Sequence, residues 1–300
     1  MPTREQSKPA GFQSILCAVD FSPQSYAALQ MAVEIAQGSG GRVTALCVED
    51  PLLDAGAAAS GYNTALLRKS TLAQLERLMK RMAEPAGLGR DAWQVESLFG
   101  TPSRTIVSLA RRMSADLIAM GTNGRSGPAK LFFGSVANEV LRRAPAPVLV
   151  VARRRPRRGS PDARHSPVVG AIELGPDDRE DARRMARAAA KTGGPLTLVH
   201  VVYRAPGLPA SSGAFDPDYE RRLAEARKRL DRLAASVGAA SRVVTGRVED
   251  EIGRAATDAK AGLIILALRK GRGIFGPRQG STTYRLLCTS AIPVLALPPA

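Results

Sequence analysis

The chain reads as an α/β protein built of two tandem, doubly wound domains. Three observations carry that expectation. Short apolar runs alternate with segments whose apolar residues recur at helical spacing, the pattern of parallel strands covered on both faces by crossover helices. The pattern occurs twice, and from Gly100 onward the halves align without a gap at an offset of 146. Gly100 falls on Gly246, Leu117-Ile118 on Leu263-Ile264, Gly134-Ser135 on Gly280-Ser281, and Pro147-Val148-Leu149 on Pro293-Val294-Leu295. At 300 residues, two domains of about 150 suit the chain better than one core at its upper size limit.

Ile15 to Asp20 is an apolar strand ending in a carboxylate. Ser22 then offers an N-cap and Pro23 a first helical residue. Ala27, Ala28, Met31, Ala32, Ile35 and Ala36 mark one apolar helix face, expected to end at Gly38. Arg42 to Val48 is a second strand, parallel to the first because the crossover between them is a helix. Glu49 to Tyr62, rich in Ala, Gly and Pro, reads as a loop at that strand's carboxyl end. A helix follows from about Thr64 to Ala83, with Leu67, Leu72, Leu75, Leu78, Met79 and Met82 inward. Trp93 to Leu98 is the third strand. Thr101-Pro102 starts a helix that turns Ile106, Leu109 and Ala110 to the sheet. Leu117 to Met120 and Pro147 to Val151 are the fourth and fifth strands.

Between these last two lies the stretch with the clearest chemistry. Gly121 ends the fourth strand, Gly124 and Gly127 keep the following backbone bare, and Gly134-Ser135 opens a helix carrying Val136, Val140 and Leu141. Bare N–H groups, a helix N-terminus and a hydroxyl together suit an anion, so the expected chemistry is cradling a phosphate. A tight turn without ligand is the plainer alternative.

Gly121, two residues, Gly124, nine residues, Gly134-Ser135, followed by Val140-Leu141-Arg142-Arg143-Ala144-Pro145-Ala146-Pro147-Val148-Leu149-Val150-Val151, resembles the ATP motif and closing strand of the nucleotide-binding universal stress proteins. The resemblance implies a Rossmann-like five-stranded parallel sheet of order 3-2-1-4-5 in each half, whose topological switch lies between strands one and four. Ligands of such sheets bind outside the carboxyl ends at the switch. It further implies that Asp20 contacts the adenosine portion and that the Val48 backbone reads the adenine edge. Gly121, Gly124, Gly134 and Ser135 would hold ribose and phosphates, with Mg²⁺ recruited by the phosphates. For Asp20 taken alone, a helix-capping carboxylate is the alternative.

Residues 11–152 are thus expected to form a domain with an intact ATP motif, 153–166 an Arg/Pro linker of like charge, and 167–298 a second domain. In that second half Val168 to Ile172 mirrors the first strand and Leu196 to Val202 the second. Its site is not intact: Gly121 becomes Ala267, Gly124 becomes Lys270, and Glu173 stands where Asp20 does. Gly271, Gly273 and Gly276 could partly compensate. A mainly structural half is expected, packing on the first as the second subunit does in single-domain dimers of the resembled family. His200, on a strand, is expected to be structural.

The bulk numbers exclude other classes. No 18-residue apolar run marks a membrane helix, and Met1 to Ala10 lacks the apolar core of a signal peptide. Cys17, Cys47 and Cys288 have no metal-ligand or redox spacing, so a cytoplasmic location is expected. The net charge of +16 invites a nucleic-acid partner, but only 4% of residues are aromatic and the arginines are scattered, so a solvated surface is preferred. No Gly-Lys-Ser/Thr phosphate loop and no residue placed to activate water is present. The chain therefore reads as an ATP-binding universal stress protein that regulates a stress response, with weak ATP hydrolysis at most. The alternatives are a nucleotide-independent adaptor or a slow ATPase, and the expected assembly is a homodimer or an intramolecular pair of halves.

Overall fold

The structure is a computed structural model that describes residues 11–50, 64–122, 134–152, 165–203, 217–269 and 282–299. In the first half the order is β1 (Ser14–Ala18), α1 (Pro23–Ser39), β2 (Arg42–Glu49), α2 (Thr64–Ala86), β3 (Trp93–Phe99), α3 (Pro102–Arg112), β4 (Leu117–Gly121), α4 (Ser135–Arg143) and β5 (Val148–Val151). The second half repeats it as β6 (Val168–Ala171), α5 (Asp178–Thr192), β7 (Leu196–Tyr203), α6 (Pro217–Ala235), β8 (Ala240–Gly246), α7 (Val248–Asp258), β9 (Leu263–Ala267), α8 (Thr282–Thr289) and β10 (Val294–Leu297).

The elements follow local rules. Ser22 caps α1, its side chain accepting from the Ser25 N–H at 3.2 Å, with Pro23 in the first turn. The helix runs past Gly38 and ends at Gly40, which takes the left-handed conformation (φ 69°). The expected stop at Gly38 was therefore two residues early, because only Gly40 adopts the terminating conformation that suits a residue without Cβ. Among the inward residues expected of α2, Leu75, Leu78 and Met79 are buried, Leu72 and Met82 are half-buried, and the side chain of Leu67 lies outside the described set.

The strands form one ten-stranded sheet of order β3-β2-β1-β4-β5-β10-β9-β6-β7-β8. Within each half every pairing is parallel, so both halves have the order 3-2-1-4-5 counted from their own first strand. The halves meet edge to edge. β5 and β10 pair antiparallel, with Val150 opposite Val294, Leu149 opposite Leu295 and Val148 opposite Ala296. The pairing satisfies the backbone groups that each half would otherwise leave on an open edge.

Two apolar layers sandwich this sheet. One joins α1, α2, α5 and α6 through residues such as Ile15, Leu29, Met79, Met185 and Leu230. The other joins α3, α4, α7 and α8 through Leu16, Ile118, Leu141, Ile264 and Leu287. Both layers run unbroken from one half into the other. Their continuity at β5–β10 makes the two halves one packed unit. Among the described residues, no helix is long and apolar enough to cross a membrane.

Candidate functional site

The topological switch lies where β1 pairs with β2 on one side and β4 on the other. There α1 leaves for one face of the sheet and α4 for the opposite face. Asp20 follows β1, whose line is extended by the Val19 N–H donating to the Leu46 carbonyl at 2.8 Å. The half-buried Asp20 carboxylate accepts from the Ser22 N–H at 3.0 Å, and its own N–H donates to Ser25 Oγ at 3.4 Å. Phe21, between them, has φ of 62°, a left-handed value uncommon for a bulky residue. Asp20 thus prepares the turn, while Ser22 is the cap itself.

Across the switch, β4 ends on Gly121. A Cβ built there would lie 2.8 Å from Gln24 Cβ and 3.0 Å from the Ser25 nitrogen. Gly121 takes no positive φ, so close approach of β4 to the first turn of α1 is what requires glycine here. That contact seats the ends of β1 and β4 side by side.

Thr122 is 3% exposed. Its N–H donates to the Val151 carbonyl at 3.2 Å, and its own carbonyl accepts from the Gly134 N–H at 2.8 Å. These bonds bring Thr122 and Gly134 together beside the switch. Gly134 caps α4 with φ −58° and no side-chain bond, and the first intrahelical bond is the Asn138 N–H to the Gly134 carbonyl at 2.9 Å. The N–H groups of Ser135, Val136 and Ala137 therefore begin α4 without intrahelical acceptors, and the dipole adds positive potential there. Ser135 is exposed. Asn138 Oδ1 is buried without a hydrogen-bond partner among the described residues.

Of the residues named from the sequence, Asp20, Gly121, Gly134 and Ser135 gather at this carboxyl edge. Val48 lies on the neighbouring strand near its carboxyl end, in register with Leu98. Gly124 is outside the described residues, as are Lys270 and the second-half glycines Gly271, Gly273 and Gly276. Sequence reasoning missed Thr122, Phe21 and Gln24. The Thr at the end of an apolar strand was the available signal for the first. Cys17, on β1 beneath Asp20, is fully buried; burial, then the Asp20 carboxylate, push its thiol far above the usual range. It is a core residue and no nucleophile.

The matching edge of the second half is differently built. Arg269, just past β9, reaches back over the end of β6. Its Nε is 3.3 Å from Glu173 Oε2, Nη1 is 3.6 Å from Asp177 Oδ2, and Nη2 is 3.6 Å from Asp181 Oδ2. Burial raises the Asp181 carboxyl above the ordinary range, against the lowering effect of Arg269 and Arg184. His200 Nδ1 donates to the Ile172 carbonyl at 3.0 Å, bracing β7 against the end of β6. A carbonyl only accepts, so Nδ1 carries the proton.

The fold and edge define a tandem doubly wound α/β protein whose first half brings the end of β4 and the start of α4 together at its switch point. The model of the universal stress protein family matches residues 11–152 and 166–298, and the chain belongs to that family. It is 34% identical over 144 residues to a universal stress protein of Methanocaldococcus jannaschii, covering 47% of this chain and 83% of that one. It is 35% identical over 141 residues to one of Thermus aquaticus, covering 47% of this chain and 98% of the relative. A crystal structure of a universal stress protein from Archaeoglobus fulgidus superposes with a TM-score of 0.67 over 97% of this chain and 98% of that chain, at 19% identity. The last comparison speaks to the fold alone.

Proposed function

We propose that this chain is an ATP-binding stress-response regulator in which the first half binds the nucleotide and the second half is mainly structural. Residues 11–152 are taken as the binding domain, 153–166 as a linker and 167–298 as the degenerate domain. The observation that supports this reading is the convergence of Asp20 and the Gly134-Ser135 helix start on the two sides of one switch point. A carboxylate suits ribose or adenine polar groups, and the first-turn N–H groups of α4 suit phosphate oxygens. In this reading Gly121 and Gly124 keep the approach open, Val48 offers its backbone to the adenine edge, and Ser135 adds a hydroxyl. The phosphates would carry Mg²⁺ with them.

The Arg269 contacts support the division of labour. In the second half a guanidinium spans the acids that surround the end of β6, and Lys270 stands where Gly124 does. A cation already balanced by carboxylates, in place of bare backbone, is a poor phosphate cradle.

The test is thermal unfolding of the whole chain with Mg-ATP, with Mg-GTP and without ligand, alongside Gly134→Val. Ligand at a hundred times its dissociation constant stabilises the folded state by about 2.7 kcal/mol, a rise of roughly 4 °C for a chain of 300 residues unfolding as one unit. The expected result is a rise with ATP that exceeds GTP and vanishes in Gly134→Val. No rise at millimolar ATP would replace this reading with a nucleotide-independent adaptor.

A further inference from the structure

The second half carries a cleft that the switch-point reading does not use. It lies between α5 and α6, has a volume of about 460 Å³, and is lined by Asp178, Arg179, Arg183, Arg229, Arg232 and Leu233, with Ser236 at one end. Arg179 and Arg183 are four apart on α5 and share one helix face; Arg229 and Arg232 are three apart on α6 and do the same. The two faces oppose each other across the cleft, over a floor that includes the buried Leu233.

The charges there are unequal. Asp178, 6% exposed, is the one acid in the lining. It is matched by Arg229, whose Nε is 2.7 Å and Nη2 2.6 Å from Asp178 Oδ2. Arg229 Nη2 also donates to the Gly175 carbonyl at 2.7 Å, so its guanidinium is held in place from two sides. Arg183 lies 3.9 Å from Glu180, but that acid is closer to Arg187, at 2.9 Å. Among the described residues, Arg179 and Arg232 have no carboxylate partner. The wall is therefore a cluster of guanidinium groups with one buried countercharge.

We propose that this cleft binds a small anion carrying two or more phosphate groups. Guanidinium forks match phosphate oxygens in pairs, and opposing faces spaced along two helices suit an extended polyanion better than a single carboxylate. The volume is in the range of small-molecule sites, which run from about 300 to 1,000 Å³. Arg229 is the oriented member, fixed by Asp178, and Arg179, Arg183 and Arg232 supply the charge around it.

The experiment is calorimetric titration of the full chain with sodium tripolyphosphate. Arg183→Ala/Arg232→Ala removes two exposed arginines without uncovering Asp178, as an Arg229 variant would. Arg77→Ala/Arg81→Ala removes the same charge from exposed positions on α2, and Gly134→Val removes the candidate crevice of the first half. The expected result is binding in the unaltered chain, unchanged in the α2 pair and in Gly134→Val, and weakened about tenfold or more in the α5/α6 pair, each lost guanidinium being a charge-assisted donor. Equal weakening in both arginine pairs would reduce the effect to diffuse charge and overturn the proposal. So would loss only in Gly134→Val, or no binding at all.

Discussion

Lys191 Nζ lies 3.1 Å from Asp116 Oδ2, and this ion pair ties the end of α5 in the second half to the start of β4 in the first. Asp116 also accepts from the backbone N–H groups of Gln13, at 3.0 and 3.2 Å, and Ser14, at 3.0 Å. The Lys191 ammonium stands 4.7 Å from the centre of the Phe12 ring. One carboxylate thus anchors the start of β1 and the neighbouring half together. The partners do unequal work. Lys191→Ala should cost about 0.5 to 1 kcal/mol, as for partly exposed pairs. Asp116→Ala should cost about 1 to 3 kcal/mol because it also strands backbone donors. Urea unfolding of both variants and of the double variant checks this; a coupling near zero would mean the ion pair contributes nothing.

Gly121→Ala separates packing from ligand contact at the switch. The new methyl would meet Gln24 Cβ at 2.8 Å and backbone atoms of Gln24 and Ser25 at 3.0 Å, so α1 must shift. A stability loss of about 1 to 3 kcal/mol is expected, the usual scale of overpacking. In the second half, where Ala267 stands in place of Gly121, the helix begins later. α1 starts at Pro23 after β1 ends at Ala18, whereas α5 starts at Asp178 after β6 ends at Ala171, two residues further on. Equal stability of Gly121→Ala and the unaltered chain in denaturant would contradict the close-approach account.

Much of this architecture is legible in the sequence, and the exceptions share a cause. Apolar runs and caps depend on neighbours a few residues away, so β1, α1 and the β4 strand could be read from Ile15, Ser22 and Leu117 onward. Gly121 was noticed, but its reason lies with Gln24, far off in the chain, and no local pattern reports a backbone contact of that kind. The same holds for Arg269, whose three acids come from a different segment, and for Thr122, whose partners are Val151 and Gly134. The antiparallel meeting of β5 and β10 was open between one chain and two, since an apolar Val-Leu-Val run pairs equally well either way. The glycines and Ser135 were reached through the spacing of their motif, and the roles of Asp20 and Val48 through the family resemblance; neither reports what touches these residues.

Acid should expose two carboxylates with opposite signs. The Glu249 carboxyl is held at about 2, foremost by its own backbone N–H at the start of α7, with Arg285 and Arg247 adding to the effect against burial. A lowered folded value means its stabilisation is complete above the ordinary range near 4.5 and fades as pH falls toward about 2. Glu249→Gln should therefore be less stable than the unaltered chain at pH 6 and nearly equal to it at pH 2. Asp181 is raised instead, so its contribution is complete below the ordinary value of 3.8 and is lost as pH climbs past it. Arg269→Ala removes a lowering influence and should steepen that loss. Stability curves of the three proteins from pH 2 to 7 decide both; parallel curves would refute both assignments.

The seam between the halves gives the most direct test of whether they act as one unit. Leu149 and Leu295 face each other in the β5–β10 register and are each 1% exposed. Their side chains belong to the apolar layer that also holds Ile15, Met79 and Met185. Truncating either to Ala should cost about 2 to 5 kcal/mol from lost burial and the cavity left behind. Because they touch the same space, the double variant should cost less than the sum, by about 0.5 kcal/mol or more. The transition should also broaden or split, as two halves that no longer share a core unfold separately. Calorimetry reads both quantities. Strictly additive losses, with a transition as sharp as that of the unaltered chain, would mean that this leucine pair does not couple the two halves, and would overturn the shared-core account.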